Sequence, residues 1–323
     1  MFGKKHSGEQ NVILLDVENA SVGVALVHLA EGSAPVLFAE QRTLLALPRT
    51  LQSDSIAKQI EAAAHEALLQ LSLVAARLRI NDKTTERGAF TNAAVFLGAP
   101  WGVPNLALGK AGFSPHMQNF LTTEIEAVAQ DLPLSFYTSA DSATYGSRFL
   151  PTDCIVLVAI LRGEITELIL LGESGALGYA TVPIGFRSVY RTLQTHAGLS
   201  LAEIPAVLAL AKHPVDSPYY EPLEAVGRHM VEFFAPGVEA LIHNGVPQSL
   251  LIIADEPLGS WFARTLEGDS SLETLFASGS TMRTLGSHTL VAHLAGHAAT
   301  PDLHLTLGAL FVHGKHLGAS AGI

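Results

Sequence analysis

The chain has 323 residues, enough for two domains with a core each. Hydrophobic residues make up 48% and charged residues only 15%, a balance that excludes a disordered, solvated chain. The formal net charge of −11 excludes a phosphate-backbone binder, because no basic stripe exists to release counterions.

A single cysteine, Cys154, rules out an internal disulfide framework and fits a reducing compartment. At the head of an apolar run it reads as a small core residue. Lys4-Lys5 is too short a basic run to hold lipid. Met1–Gln10 is polar with no apolar signal core, and no stretch approaches ~20 uninterrupted apolar residues. The expectation is a soluble, cytoplasmic protein that does not insert into a membrane.

Three β-type runs open the chain: Asn11–Asp16, Val22–Leu29 and Pro35–Glu40, separated by the turn Glu18-Asn19-Ala20-Ser21 and by Gly32-Ser33. Apolar residues at helical spacing then predict one long helix over Ser55–Leu78. Ile80–Gly88 reads as a polar loop, Ala93–Leu97 as a buried strand, and Gly98–Gly102 as a sharp turn. A helix over Asn119–Gln130, a strand over Leu134–Thr138 and a short helix over Ala140–Phe149 complete the first half.

The second half begins in the same way. Cys154–Leu161, Glu167–Leu171 and Leu177–Ile184 form a second β triplet, with turns at Arg162-Gly163-Glu164 and Gly172–Gly175. A helix over Arg187–His196 follows it. Leu201–Leu210 and Pro222–Val246 predict further helices, Ser249–Ala254 a buried strand, and Gly259–Leu266 a helix. Gly268–Gly286 reads as a polar loop. Asp302–His313 has helical spacing, with Gly314 placed as its C-cap and Gly318–Ile323 as a frayed tail. A β-β-β-α unit occurring twice implies two related α/β domains, with helices on the faces of mixed sheets.

This organisation resembles the actin-like ATPase superfamily, and within it the PilM kind of type IV pilus assembly protein and its division-protein relative FtsA. The likeness rests on a few segments. Met1-Phe2 leads to Asp16-Val17-Glu18-Asn19-Ala20-Ser21-Val22-Gly23, where the family has Asp-Ile-Gly-Ser-Ser-Ser-Val-Lys. Val158-Ala159-Ile160-Leu161, with Thr166 beyond, stands for the family's Val-Asp-Ile-Gly. Pro183-Ile184-Gly185-Phe186 resembles its Ile-Gly-Gly, and Thr306-Leu307-Gly308-Ala309-Leu310 echoes its last helix. Ile253-Ala254-Asp255-Glu256-Pro257 replaces the adenosine motif Leu-Thr-Gly-Gly-Gly.

The resemblance implies a two-domain actin-like (ribonuclease H-like) α/β fold. The first domain would take residues 1–151 plus 287–323 and the second 152–286. It also implies a nucleotide cleft lined here by Asp16, Glu18, Asn19, Ser21, Thr166, Gly185, Asp255 and Glu256. In the family, turn glycines let backbone amides approach the phosphates. Here Glu18 brings a side chain and a negative charge, Gly23 stands for the phosphate-pairing lysine, and Ala159 for the aspartate that organises Mg²⁺ and water. Asp255-Glu256 puts carboxylates where the nucleoside would pack. Asp16 is retained, either as a residual metal-organising carboxylate or, the favoured reading, as a strand-end aspartate bonding its own turn. The expectation is an actin-like protein with vestigial nucleotide motifs: no catalytic residue, no bound cofactor, and ATP with Mg²⁺ disfavoured.

Other patterns are weaker. His293 and His297 would share a face if Thr289–Ala298 were helical, but Leu294 replaces the glutamate of the hydrolytic zinc motif and no cysteine is near, so no metal is expected. Neither a Gly-x-Ser-x-Gly elbow nor a phosphate loop occurs. Trp101, Val103 and Leu106 lie in a Pro-Gly frame where the PilM and FtsA kind carry an extra subdomain, here reduced. Trp101 is either an interface anchor or a residue packed over a core edge. The resemblance therefore implies a scaffold or adaptor, docking a protein such as the cytoplasmic tail of an inner-membrane pilus or secretion component, with self-association allowed. An active actin-like ATPase or sugar-kinase relative is the alternative.

Overall fold

The computed structural model describes residues 9–46, 53–81, 90–106, 110–149, 155–210, 218–296 and 301–320. The chain divides into two compact units. One takes Met1–Val103, Ala111–Tyr145 and Ser287–Ile323, the other Pro104–Lys110 and Gly146–Gly286.

The first unit is built on β1 (Gln10–Val17), β2 (Ser21–Leu29), β3 (Val36–Leu44), β4 (Asn92–Leu97) and β7 (Leu134–Thr138), in the order β3-β2-β1-β4-β7. The first three strands form an antiparallel meander, and β4 and β7 add in parallel beside β1. Ile13, Leu15 and Val17 point to one face of β1 by strand alternation. There they meet α1 (Ser53–Asn81) and α2 (Pro115–Val128) through Ile60, Ala64, Leu68, Met117 and Leu121. On the opposite face α10 (Leu303–Ser320) runs close to the sheet, because Gly308 offers no side chain against Leu14 and Phe96. Between β4 and α2 lies a two-stranded sheet, β5 (Gly102–Asn105) with β6 (Lys110–Phe113), in place of a full inserted subdomain. The helix α2 starts earlier than its periodicity suggests, since Ser114 caps it through the Met117 amide and Pro115 fits its first turn.

The second unit repeats the plan with β8 (Val156–Leu161), β9 (Thr166–Gly172), β10 (Gly175–Val182), β11 (Ser249–Ile253) and β12 (Thr281–Leu285), ordered β10-β9-β8-β11-β12. Again three antiparallel strands are extended by two parallel ones. Its core packs one sheet face against α4 (Phe186–Ala197), α5 (Ile204–Leu210), α6 (Tyr220–Ile242), α7 (Leu258–Glu267) and the one-turn α8 (Ser270–Glu273). Val12–Asp16 and Ile155–Leu161 thus belong to separate sheets, as the duplication requires. The remaining helices are α3 (Ser139–Gly146), followed by a 3₁₀ turn over Ser147–Phe149, and the one-turn α9 (Ser287–Leu290).

Three expectations need correcting, and one conditional pairing of histidines falls away. Gly268–Gly286 is not a loop: it holds α8 and the edge strand β12, whose outward side chains hid the strand from a burial pattern. Gly314 is not a C-cap but lies inside α10, where Tyr145 occupies the space a Cβ would need. Thr289–Ala298 is not one helix, because the chain turns 3₁₀ over Val291–His293 and goes extended at Leu294. Trp101 packs against the first unit's core with its indole nitrogen buried, which is the core-edge reading and not an exposed anchor. Lys4-Lys5, Cys154 and His297 lie outside the described residues.

Candidate functional site: two charged hairpins

The first hairpin joins β1 to β2 by a tight turn closed by the Glu18 amide donating to the Ser21 carbonyl at 3.1 Å. The second joins β8 to β9 and closes identically, the Arg162 amide donating to the Ile165 carbonyl at 3.1 Å. In each, the last strand pair precedes a four-residue turn: Val17 opposite Val22, and Leu161 opposite Thr166. This register makes Ile160, not Ala159, the counterpart of Asp16. Ala159 faces the helix-covered core, as Leu15 does in the first unit. Likewise Arg162 corresponds to Glu18, and Glu167 to Gly23.

At the first hairpin Asp16 is buried, 1% exposed, and its carboxylate accepts from Arg42 Nη2 at 2.7 Å. Arg42 comes from β3, directly across from Gly23. Nη1 donates to Ser21 Oγ at 2.7 Å and Nε to Asp302 Oδ2, while Nη2 also donates to Asp302 Oδ1 at 2.9 Å. Ser21 Oγ in turn donates to Glu18 Oε1 at 2.6 Å. Asp302 also caps α10, accepting from the His304 and Leu305 amides. One guanidinium therefore ties the hairpin, the edge strand and the start of the last helix together. Burial alone would lower the Arg42 pKa, but Asp302 and Asp16 raise it well above its ordinary value. Burial pushes Asp302 up, yet the Arg42 charge, the Arg42 bond and the helix amide hold it below the usual carboxylate range.

The second hairpin carries a different charge pair. Glu167, fully buried, accepts from Tyr179 Oη at 2.8 Å and lies 4.0 Å from Arg162 Nε. Burial first, and the Glu167 charge second, push the Tyr179 phenol far up, so it stays a donor. The turn itself is clasped by α4. Arg191 reaches both oxygens of Glu164 at 2.5 Å. The Phe186 and Arg187 amides donate to the Arg162 and Gly163 carbonyls at 3.0 and 2.9 Å. Gly185 permits this approach, since a Cβ there would lie 2.3 Å from the Arg162 carbonyl oxygen. Helix-start amides of the kind that hold anions are here spent on the turn.

Of the sequence-predicted positions, Asp16, Glu18 and Ser21 are thus joined in one network in the first unit, and the buried Asn19 sits at the tip of their turn. Thr166 donates its hydroxyl to the Ile184 carbonyl at 2.6 Å, beside Gly185, as part of the second unit's framework. Asp255 and Glu256 are exposed after β11, and Glu256 accepts from Ser260 of α7. Val103 and Leu106 are each 38% exposed. Sequence reasoning missed Arg42, Asp302, Arg162 and Glu167. The available signal was that Arg162, Glu167 and Asp302 fall near a strand or helix end beside a turn, whereas Arg42 lies inside β3 and gave none. Among the described residues no group of three or more metal-ligating side chains converges, and no helix is long and apolar enough to cross a membrane.

No family model matches the chain, and no curated protein matches it by sequence. Solved structures do match over nearly the whole length. A PilM–PilN type IV pilus biogenesis complex covers 96% of this chain and 98% of its own, at 13% identity and a TM-score of 0.53. The ethanolamine utilization protein EutJ from Carboxydothermus hydrogenoformans covers 94% and 89%, at 14% identity and 0.50. An exopolyphosphatase from Cytophaga hutchinsonii covers 95% and 90%, at 11% identity and 0.45. With its two five-stranded sheets of identical order, the chain has the two-domain actin-like fold, of the kind seen in PilM.

Proposed function

We propose that the protein is a non-catalytic actin-like scaffold that docks a protein partner, at an inner-membrane assembly of the type IV pilus or secretion kind. One observation carries the reading. Asp16, the retained carboxylate, already holds a cation supplied by the chain itself, the Arg42 guanidinium at 2.7 Å. In this reading the first hairpin does not fit Mg²⁺-nucleotide: Arg42 fills the space over Gly23, and Glu18 stands at the turn where a phosphate would need bare amides. The second hairpin offers Ile160 where a carboxylate would be wanted, and its helix-start amides are engaged. Support for a partner comes from the PilM–PilN structure, which is a complex of that likeness with another protein. The exposed residues we assign to docking are Val103, within β5, and Leu106, the residue after that strand.

The test is thermal unfolding with and without millimolar ATP-Mg²⁺. A ligand present at 100 times its Kd stabilises by about 2.7 kcal/mol. The expected result is an unchanged melting temperature and no phosphate release. A rise of several degrees that is lost in Asp16→Asn would establish the competing reading, an ATP-binding relative.

A further inference from the structure

The link from α6 to β11 contains Asn244-Gly245, the only Asn-Gly pair in the sequence; the other six asparagines all precede a residue with a side chain. The fold requires glycine at the second position. Gly245 has a φ of +149°, in the region that residues with a Cβ rarely adopt, and a Cβ there would lie 2.8 Å from Ile155 Cδ1. Asn244 itself is exposed, so water reaches it and no neighbouring side chain screens it from the next peptide. The backbone at this point is nevertheless held. The Gly245 amide donates to the Ile242 carbonyl and the Asn244 amide to the Leu241 carbonyl, each at 3.0 Å, and together they close the last turn of α6.

An asparagine followed by glycine cyclises through the next backbone nitrogen. The deprotonated Gly245 amide nitrogen attacks the Asn244 carboxamide carbon. A C–N bond forms, the bond to Nδ2 breaks, and that nitrogen takes a proton from water and leaves as ammonia. Water then opens the cyclic imide at one of its two carbonyls, giving aspartate or, with the backbone routed through Cβ, isoaspartate. The chemistry needs only water. The attacking nitrogen must first give up its bond to Ile242, so the last turn of α6 has to open, and helix ends open at low free-energy cost. We propose that Asn244 is a site of spontaneous deamidation gated by the opening of that turn. Isoaspartate adds a methylene to the backbone and a carboxylate at the C-terminal end of α6, where the helix dipole disfavours negative charge. The far end of the same link is pinned by the Gln248 amide donating to the Ile155 carbonyl at 2.8 Å. Conversion therefore loosens the entry to β11, which lies between β8 and β12 in the second unit's sheet. The inference does not depend on the scaffold reading.

The test incubates the full chain for several weeks at neutral pH and physiological temperature, folded and in urea. Peptide mass mapping locates the conversion, and isoaspartyl methyltransferase labelling identifies the product. Asn244 is expected to convert ahead of the other six asparagines, about tenfold or more slowly in the folded protein than in urea, because the open turn is a minor state. Val246→Gly, at a position 48% exposed in the same link, should speed conversion of the folded protein and leave the rate in urea unchanged. The converted fraction should melt below fresh protein, whereas Asn244→Ser incubated alongside should keep its melting temperature. Conversion in urea with none in the folded protein, equal rates in the two, or earlier conversion of another asparagine would overturn the gated site. A converted fraction that melts with fresh protein would overturn the consequence for β11.

Discussion

Arg42 lies over Gly23: a Cβ built on the glycine would fall 2.7 Å from the arginine's Nη2. The two residues are cross-strand partners in β2 and β3. The resemblance to the actin-like kind implies a lysine at position 23, where Gly23 suggests the loss of a positive charge. In the fold the charge is present, returned from the neighbouring strand, but it is committed to Asp16 and Asp302. Gly23 is what makes that possible.

It follows that restoring a side chain at 23 should cost stability without restoring chemistry. Gly23→Lys would push the guanidinium off carboxylates that hold it from two sides. Overpacking of this kind costs about 1–3 kcal/mol. Urea denaturation of Gly23→Ala and Gly23→Lys should both show lower midpoints, with Lys the lower, and neither should bind ATP-Mg²⁺. A Gly23→Lys protein as stable as wild type would mean that Arg42 can leave its position freely.

Removing the arginine is the harsher change. Arg42→Met leaves Asp16, buried to 1% exposure, beside Asp302 with no cation between them. Breaking a buried pair from one side costs about 3–5 kcal/mol, because the remaining charge is stranded. Adding Asp16→Asn should recover part of the loss, and a double-mutant cycle reads the coupling directly. Strict additivity of the two substitutions would show that the 2.7 Å contact carries no energy of its own.

Acid should weaken the first unit in two separate windows. His313 on α10 has its pKa lowered, first by burial and then by the charge of His316. A group depressed in the folded state contributes stability that is full above its ordinary value and lost as pH falls through the folded one. For His313 the loss begins near pH ~6.5, the ordinary histidine value. Asp302 is also depressed, so its contribution persists until pH drops below the ordinary aspartate value of ~3.9. Melting temperatures measured against pH should flatten in the upper window for His313→Gln and in the lower one for Asp302→Asn. A substitution that flattened the wrong window would contradict the assignment.

Much of the architecture was legible because burial alternates with the right period. The two triplets, Leu134–Thr138 and the helix over Ser55–Leu78 carry their signal in their own residues. β12 did not, since an edge strand reading Thr-Met-Arg-Thr-Leu faces outward on most positions and gains its place only by pairing with β11. The site was half legible for the same reason. Asp16 and the absent second carboxylate could be placed by motif, but the partners of Asp16 stand 26 and, through Arg42, 286 residues further on. No local pattern encodes a contact of that separation. The one-residue shift from Ala159 to Ile160 likewise needed the strand register, which motif matching does not supply.

Gly314 gives a prediction in which two effects oppose. Inside a helix, Gly→Ala ordinarily stabilises by about 1 kcal/mol. At 314, however, the new Cβ would sit 2.4 Å from Tyr145 Oη and 2.6 Å from its ring carbons. Tyr145 is not free to swing away, because its ring packs edge-on against Phe311 one turn earlier on the same helix, at 6.0 Å and 87°. Steric cost of about 1–3 kcal/mol should therefore exceed the gain in propensity, and Gly314→Ala should lower the denaturation midpoint. In a Tyr145→Ala background the obstacle is gone and the propensity term stands alone, so the same substitution should raise the midpoint. The reversal of sign is the diagnostic result. Destabilisation by Gly314→Ala in both backgrounds would mean that something other than Tyr145 requires the glycine.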